Sequence, residues 1–296
     1  MSLETPRVRV RWPVIRWFVG ILLLAGAIGA TVPLSRPTVL VGRTWLAADR
    51  LASAEVSHAA WDELLRRYVD AEGNVDYAGW KDSVSDMRRL DKYLEELARL
   101  DTRREATASE RLTFWINAYN AVTVRGILRE YPTSSIQNHV GRVWGYNIWR
   151  DLRLIVGDQP HSLGEIEHDL LRPLLEPRVH FAIVCASRGC PRLRNEAYLA
   201  ERLDEQLAQN AADFFADSTK CVVDLERREL RLSPIMNWYA ADFGATQTER
   251  LRRIVPWLPQ PARELALSGD VRLTFLEYDW SLNDQTTSAP PLPPLP

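Results

Sequence analysis

Two cysteines and two histidines lie close together in the sequence and have side chains suited to covalent chemistry. Cys185 and Cys190 are separated by a short loop, and His168 and His180 lie upstream of it. A thiolate nucleophile needs a base that takes its proton and hydrogen-bond donors that hold the oxyanion. These residue types in this order predict a thiol hydrolase or acyltransferase.

We predict that Cys185 is the nucleophile and that His168 is its base. A short helix that leads into the cysteine segment can bring the imidazole of His168 to the loop. His180 is closer in sequence, but five residues along a strand place its side chain on the opposite face from Cys185. Asn117 or Asn120 can orient the imidazole, as the third member of a Cys-His-Asn arrangement does, and Asn117 is the one that we assign to this role. The predicted catalytic residues are Cys185, His168 and Asn117.

The loop around the nucleophile supplies most of the predicted binding residues. Arg188 can lower the pKa of the thiol, and the backbone of residues 186–189 can donate hydrogen bonds to an oxyanion. The predicted binding set is His180, Ser187, Arg188, Cys190 and Asn120. The spacing of the histidines and cysteines matches no familiar zinc pattern, and the sequence has no Gly-rich phosphate loop. We therefore predict neither a metal site nor a cofactor.

The same cysteines have a structural interpretation, which stays open as an alternative. Outside the cytoplasm Cys185 and Cys190 can form a disulfide, which would remove both thiols from nucleophilic work. The chain would then be a non-catalytic binding or scaffold module of the cell envelope, with a Trp-rich surface near Trp144 and Trp149. A free Cys185 in an open cleft near His168 favours the enzyme, and a closed disulfide beside a shallow apolar groove favours the binding module.

The apolar stretch from Val179 to Cys185 is predicted to be the central strand that positions the thiols. Side chains on both of its faces are mostly apolar, which is typical of a strand covered on both sides. Gly189 and Pro191 then end it. A buried strand of this kind delivers its last residues to the edge of the sheet where α/β-type domains often hold their chemistry.

An interior helix is predicted from Leu112 to Leu128, because this stretch is apolar nearly all round and follows a capping box from Thr107 to Glu110. The amides of Asn117 and Asn120 then need hydrogen-bond partners inside the protein. The simpler interpretation is that both amides tie down neighbouring loops. A direct role in catalysis or binding is the alternative.

Local patterns predict further helices and strands on both sides of this stretch. They are a strand from Leu152 to Val156, a helix opened by the capping box Ser162–Glu165, a long helix capped by Asn195, a hairpin of residues 221–225 and 229–233, a last helix opened by Thr246, and a closing strand from Val271 to Tyr278.

Composition limits the possible functions. The chain has 296 residues, 46% of them hydrophobic, and a formal net charge of -2. This is enough apolar surface for a substantial core. The charge argues against a nucleic-acid partner, which usually requires a basic face. Three cysteines are an odd number, so at least one thiol is unpaired within the chain.

The amino-terminal residues predict a membrane anchor. Arginines precede an uncharged run from Trp17 to Ser35, whose length is close to the ~20 residues of a membrane-spanning helix. Under the positive-inside rule the basic flank stays in the cytoplasm, which predicts a single-pass inner-membrane protein with its domain on the periplasmic side. The alternative is a signal peptide with a cleavage site at Ala25-Gly26-Ala27, which would give a secreted protein.

This anchor implies four segments along the chain. Residues 1–36 are the basic flank and transmembrane anchor, 37–54 a tether, 55–283 one folded domain and 284–296 a disordered Pro-rich tail. The predicted partners are the membrane, through the amino-terminal helix, and a peptide or cell-envelope ligand.

Several motifs resemble the domain of unknown function 547 family. They occur in the family's order and are Phe114–Ala121, Ser162–His168, His180–Pro191, Trp238–Gly244 and Tyr278–Asn283. The resemblance implies an exported or membrane-tethered protein, as bacterial members often are, and the family name promises no activity. Plant members have Ser where this chain has Cys190, so a mechanism that requires Cys190 would not extend to the whole group.

Comparisons of this family with papain-like or transglutaminase-like proteins imply a related fold. With the local patterns they favour an α+β fold, in which a single domain has a buried central helix packed on a mixed or antiparallel sheet, behind an N-terminal transmembrane helix. In papain-like folds the nucleophile opens the central helix, whereas the predicted helix here carries asparagines.

Overall fold

A computed structural model describes residues 38–141 and 146–287, which contain α-helices and two small sheets. The α+β prediction is therefore confirmed. Eleven α-helices lie in these residues: α1 Ala59–Tyr68, α2 Tyr77–Asp82, α3 Val84–Leu97, α4 Ala108–Glu130, α5 Ile148–Asp151, α6 Leu163–Glu165, α7 Leu203–Ala216, α8 Ile235–Trp238, α9 Ala240–Phe243, α10 Gln247–Ile254 and α11 Gln260–Leu267.

Six strands form two separate three-stranded sheets in the described part of the chain, where one sheet was predicted. The strands are β1 Val39–Val41, β2 Leu152–Val156, β3 Gln159–Ser162, β4 Cys221–Asp224, β5 Glu229–Leu232 and β6 Arg272–Phe275. In the first sheet the central β2 runs parallel to β1 and antiparallel to β3. In the second the central β5 runs antiparallel to β4 and parallel to β6. Both sheets are thus mixed, which is one of the two forms, mixed or antiparallel, predicted for the single sheet.

Helix α4 is the buried central helix that the sequence predicted. Its capping box is formed, since the Thr107 hydroxyl accepts from the Glu110 amide and the Glu110 carboxylate accepts from the Thr107 amide at 2.7 Å. Sixteen of its 23 residues are buried. A Cβ added at Gly126 would lie 2.6 Å from a methyl group of Leu152, so α4 packs closely against β2 at this point.

The predicted central strand from Val179 to Cys185 is wrong. Residues Pro177–Phe181 form a 3-10 helix, and irregular chain follows it. Pro177 and the Glu176 cap start this helix, because the Glu176 carboxylate accepts from the Arg178 amide at 3.0 Å. This segment was expected to join the strands into one sheet, and two smaller sheets form without it.

Side-chain amides replace the strand partners that this segment lacks. Asn120 donates to the carbonyl of Ala182 and accepts from the amide of Val184, both at 2.9 Å. Asn210 donates to the carbonyl of Phe181. Buried backbone groups require partners of some kind, and here amides from two helices supply them.

Local patterns gave several other elements correctly. Strand β2, the β4–β5 hairpin and the capping boxes at Ser162 and Thr246 are all present. Asn195 does not cap the long helix, because turns intervene and α7 begins after Arg202. The helix opened by Thr246 was predicted to be the last one, but α11 follows it. The closing strand, β6, is shorter than predicted.

The amino-terminal predictions meet the structure only in part. Residues 38–54, predicted as a tether, contain β1 and a short 3-10 turn, and β1 pairs with β2. The predicted transmembrane helix and the end of the Pro-rich tail lie outside the described residues. Within 38–141 and 146–287 no helix has both the length and the apolar character needed to span a membrane.

Two hydrophobic clusters meet at the segment that follows Pro177. Val179 and Ala182 belong to the cluster around α4, whereas Phe181 belongs to a second cluster built from α7, β4, β5, α10 and α11. Phe181 packs on Phe214 with ring centroids 4.9 Å apart. Tyr278 packs against both clusters. The cysteine loop is therefore held at the junction of two cores.

Candidate functional site

A cavity of about 370 Å³ lies beside the cysteine loop, and we call it the aromatic cavity. It contains four of the predicted site residues: His168, His180, Cys185 and Cys190. Its remaining lining is Tyr119, Trp149, Gly164, Glu167, Ile183, Pro191, Ile235, Trp238, Tyr239, Tyr278 and Trp280. Six aromatic side chains thus surround a small group of titratable ones.

Cys185 and Cys190 are joined by a disulfide, with an S–S distance of 2.19 Å. The hydroxyl of Tyr278 lies 3.1 Å from each sulfur, and the hydroxyl of Ser187 lies 3.1 Å from the sulfur of Cys185. Cys185 is partly exposed and Cys190 is buried. The disulfide that the structural interpretation anticipated is present, and a thiol at this site requires its reduction.

The third cysteine has no part in this site. Cys221 is free and buried at the start of β4. Burial raises its pKa to about 11, so the thiolate is scarce at neutral pH. Cys221 is therefore a small core residue.

The ring of His180 is fixed by a carboxylate that the sequence analysis missed. Its Nε2 lies 2.7 Å from Oδ2 of Asp242, and since a carboxylate only accepts, Nε2 carries the proton. The ring stacks on Tyr239 with centroids 3.9 Å apart. Nδ1 is buried and has no hydrogen-bond partner among the described residues. Burial lowers the pKa of His180, although the bond to Asp242 opposes this, so the ring is neutral at pH 7 with an unshared pair on Nδ1.

Asp242 is itself held by Arg172 through two hydrogen bonds, of 2.7 Å to Oδ2 and 2.8 Å to Oδ1. The Arg172 guanidinium lowers the pKa of Asp242 and keeps it ionised. Arg172 also donates to Nδ1 of His168 at 3.1 Å. Asp242 lies in α9, which is distant in sequence from the cysteine loop, so no local pattern connects it with His180. The motif from Trp238 to Gly244 was its only sequence signal.

His168 lies in a π-helical turn, Ile166–Leu171, that continues α6. Such turns are frequent at functional sites. Its side chain is exposed at the cavity and its Nδ1 is occupied by Arg172. The strand argument that placed His180 on the wrong face does not apply, because His180 lies in a 3-10 helix and lines the same cavity as Cys185.

Glu167 is a second carboxylate that the sequence analysis missed. Glu167 is 8% exposed, and the hydroxyl of Tyr119 donates to its Oε2 at 3.4 Å. Its Oε1 is buried without a hydrogen-bond partner among the described residues. Burial and, next, the charge of Glu167 raise the pKa of Tyr239 far above its usual range. Glu167 lies within the motif from Ser162 to His168, which was its sequence signal, and its burial singles it out in the structure.

The two asparagines of α4 do not line the aromatic cavity. Asn117 donates to the carbonyl of Tyr198 at 2.9 Å and accepts from its amide at 3.0 Å. Asn120 bonds the backbone of residues 182 and 184 in the same manner. Both amides therefore tie down neighbouring chain, which is the simpler of the two interpretations drawn from the sequence.

Ser187 and Arg188 face a second, polar cavity of about 520 Å³ on the other side of the disulfide. Arg188 donates to the carbonyl of Asp284 at 3.0 Å. Tyr278 and Cys190 line both cavities. Six of the predicted site residues are thus divided between two cavities, with Cys190 lining both, whereas Asn117 and Asn120 line neither.

Metal chemistry finds no support in the described residues. Within 38–141 and 146–287, no three His, Cys, Asp or Glu side chains are grouped so that they could hold a metal ion.

Comparison with known proteins gives one family match. No curated protein and no solved structure matches the chain. The family match covers α4, Glu167, His180 and both bridged cysteines, whereas Asp242 and Tyr278 lie beyond its end. It confirms the family resemblance for this part of the chain. Residues 103–215 match the model of the family described as protein of unknown function, DUF547.

Proposed function

We propose that the protein is a Cys/His-dependent hydrolase or acyltransferase with Cys185 as nucleophile and His180 as base. One observation carries this proposal. The proton-bearing nitrogen of His180 is fixed on Asp242, and its other nitrogen is unpartnered and belongs to a ring that lines the cavity of Cys185. A nucleophile, a base and an orienting carboxylate are the three parts of a catalytic triad.

The reaction begins with the disulfide. An external dithiol is oxidised to its disulfide while Cys185 and Cys190 each gain a proton and an electron. His180 then takes the proton of Cys185 on Nδ1, and the sulfur attacks the acyl carbon of the substrate. His180 returns that proton to the leaving group, which departs as a thioester forms. Water or another acceptor then attacks the thioester while His180 takes its proton and passes it to the departing sulfur, so Cys185 is released as a thiol and the acyl group leaves on the acceptor.

Two neighbouring hydroxyls favour the thiolate. Tyr278 and Ser187 lie within hydrogen-bond distance of the sulfur of Cys185. Burial raises the pKa of Tyr278, so its phenol keeps the proton that it donates. Hydrogen bonds to an ionised sulfur lower the pKa of the thiol.

Alkylation of Cys185 with iodoacetamide across pH tests this proposal. The Cys190→Ser variant leaves Cys185 free without reductant. We expect an apparent pKa well below the ~8.5 of a free thiol, and a return toward that value when His180→Gln is added. An apparent pKa at or above ~8.5 in the single variant overturns the nucleophile assignment. The buried Cys221 is common to both variants and serves as an internal control for unfolding.

The closed disulfide favours a second candidate, a binding module in which the bridge clamps the loop against Tyr278. Its predicted ligand is a peptide or cell-envelope component that enters the aromatic cavity. This candidate predicts that Cys190→Ser lowers stability and leaves the Cys185 thiol with ordinary reactivity. The same alkylation experiment therefore decides between the two functions.

We also propose that residues 1–36 anchor the protein in the inner membrane with the domain on the periplasmic side. The basic start, the uncharged run and a disulfide suited to an oxidising compartment support this location. A carboxyl-terminal alkaline phosphatase fusion would be active if the domain is exported. Sequencing of the mature amino terminus separates an intact anchor from a cleaved signal peptide.

A further inference from the structure

The walls of the aromatic cavity are built from rings whose faces attract positive charge. Trp238 is 49% exposed and packs on Tyr278 and Trp280, with ring centroids 4.8 Å and 5.9 Å away. Tyr119, Trp149 and Tyr239 complete the aromatic part of the lining. The face of an aromatic ring carries the negative part of its quadrupole and attracts a cation placed over it. Tyr239 already has such a contact, with the Arg172 guanidinium 5.7 Å from its centroid.

Glu167 adds a carboxylate without a cation. It forms no ion pair among the described residues, and the phenol of Tyr119 is the hydrogen-bond partner of Oε2. Its other oxygen, Oε1, is buried and unpartnered in a residue that is 8% exposed. An uncompensated buried charge is costly, and proteins usually pair it.

The nearest cation interacts with Glu167 through its charge but gives it no hydrogen bond. Arg172 is the nearby cation, and both carboxylate oxygens of Asp242 occupy it. His180 is neutral, as argued above. The third nitrogen of Arg172 lies 3.1 Å from Nδ1 of His168. The hydrogen bonds of this guanidinium thus go to Asp242 and His168, and Oε1 of Glu167 is left without a donor among the described residues.

We propose that the aromatic cavity binds an alkylammonium group, primary or methylated, which pairs with Oε1 of Glu167 and contacts the surrounding rings. An anionic ligand has no donor for Oε1, and a neutral donor makes a weaker hydrogen bond to it than an ammonium group does. This inference rests on the proposed function for the role of the cavity, and it names the substrate class as acyl compounds that carry an ammonium group.

Two matched ligand pairs test the inference on the oxidised wild-type protein. Choline is compared with 3,3-dimethylbutan-1-ol, its neutral isostere, and butylammonium with butan-1-ol. Affinity is measured by titration of tryptophan fluorescence, since Trp238 and Trp280 line the cavity. We expect at least one cation to bind about tenfold or more tightly than its neutral partner. Equal affinities within both pairs overturn the inference.

Variants locate the binding site. Glu167→Gln keeps the shape of the side chain and is expected to abolish the preference for the cation. Asp169→Asn removes an exposed carboxylate from the same π-helical turn and should leave the preference unchanged. A preference that survives in Glu167→Gln also overturns the inference.

The result is independent of thiol chemistry, because both sulfurs stay in the disulfide. Cation binding together with an ordinary pKa of the Cys185 thiol supports this inference and contradicts the proposed enzyme. A lowered pKa of this thiol without cation binding supports the proposed enzyme and overturns this inference.

Discussion

Asp242 holds His180 at 2.7 Å while its second oxygen is held by Arg172. The three residues come from separate segments: a 3-10 turn after the π-helical turn, the 3-10 helix that replaces the predicted strand, and α9. The His180 side chain is 1% exposed, so the ring has no freedom to turn toward water. The orientation of the proposed base is therefore fixed by tertiary packing.

Asp242→Asn is expected to weaken the base without removing the ring. The neutral amide no longer stabilises the imidazolium, so the pKa of His180 falls further. In the Cys190→Ser background we expect the apparent pKa of Cys185 to rise by about one unit, with about tenfold slower alkylation at pH 7. Asp169→Asn is the matched control. Unchanged alkylation, in a variant shown by circular dichroism to be folded, would contradict the role of Asp242.

Protonation of His58 is expected to destabilise the protein between pH 6.5 and 4.5. Its Nδ1 lies 2.7 Å from the hydroxyl of Tyr93, and burial lowers its pKa to about 4. Because the unfolded chain binds the proton more readily, the stability that neutral His58 contributes is fully present above pH ~6.5 and is lost as the pH falls toward about 4. We expect a loss of about 2 kcal/mol in the free energy of unfolding by urea.

His58→Gln should remove most of this pH dependence, and His168→Gln, at an exposed site, should retain it. The pKa of His180 is lowered in the same direction, so some dependence will remain. Hydrogen bonds from Arg103 hold the pKa of Asp101 at about 2, and ion pairs hold the pKa of Glu196 at about 2 although burial opposes them. The stability that these two carboxylates contribute is lost only below this pH window. An equal pH dependence in wild type and His58→Gln would contradict the assignment.

The parts of the fold that sequence analysis predicted are those set by neighbouring residues. The capping boxes at Thr107, Ser162 and Thr246 each involve residues three apart, so a short window contains the whole signal. The all-round apolar pattern likewise identified α4 as buried. These features need no knowledge of the tertiary structure.

The parts that it missed depend on distant residues. Val179 to Cys185 has the composition of a strand, but its backbone partners are the amides of Asn120 and Asn210. No periodicity in the sequence reveals that side-chain amides take the place of neighbouring strands. Asp242 lies far along the chain from His180, and its role depends on how α9 packs. Two of the three proposed catalytic roles, those of His180 and Asp242, therefore required the three-dimensional structure.

Asn120→Ala is expected to lower the free energy of unfolding by about 3 kcal/mol. The substitution removes two hydrogen bonds and leaves the carbonyl of Ala182 and the amide of Val184 buried without partners. Urea unfolding measures the loss. Asn138→Ala removes an exposed amide and should cost little. A small effect at Asn120 would contradict its proposed role in fixing the cysteine loop.

Tyr278→Phe separates the two proposals for the aromatic cavity. The change removes the hydroxyl that lies 3.1 Å from each sulfur and keeps the ring that packs on Trp280. In the Cys190→Ser background, loss of one donor to the thiolate should raise the apparent pKa of Cys185 by about one unit. The preference for an ammonium ligand should persist, because the ring face is unchanged. Tyr131→Phe removes a hydroxyl bonded to Asp284 and serves as the control. An unaltered thiol pKa would show that Tyr278 does not stabilise the thiolate, and a lost cation preference would show that its hydroxyl contacts the ligand.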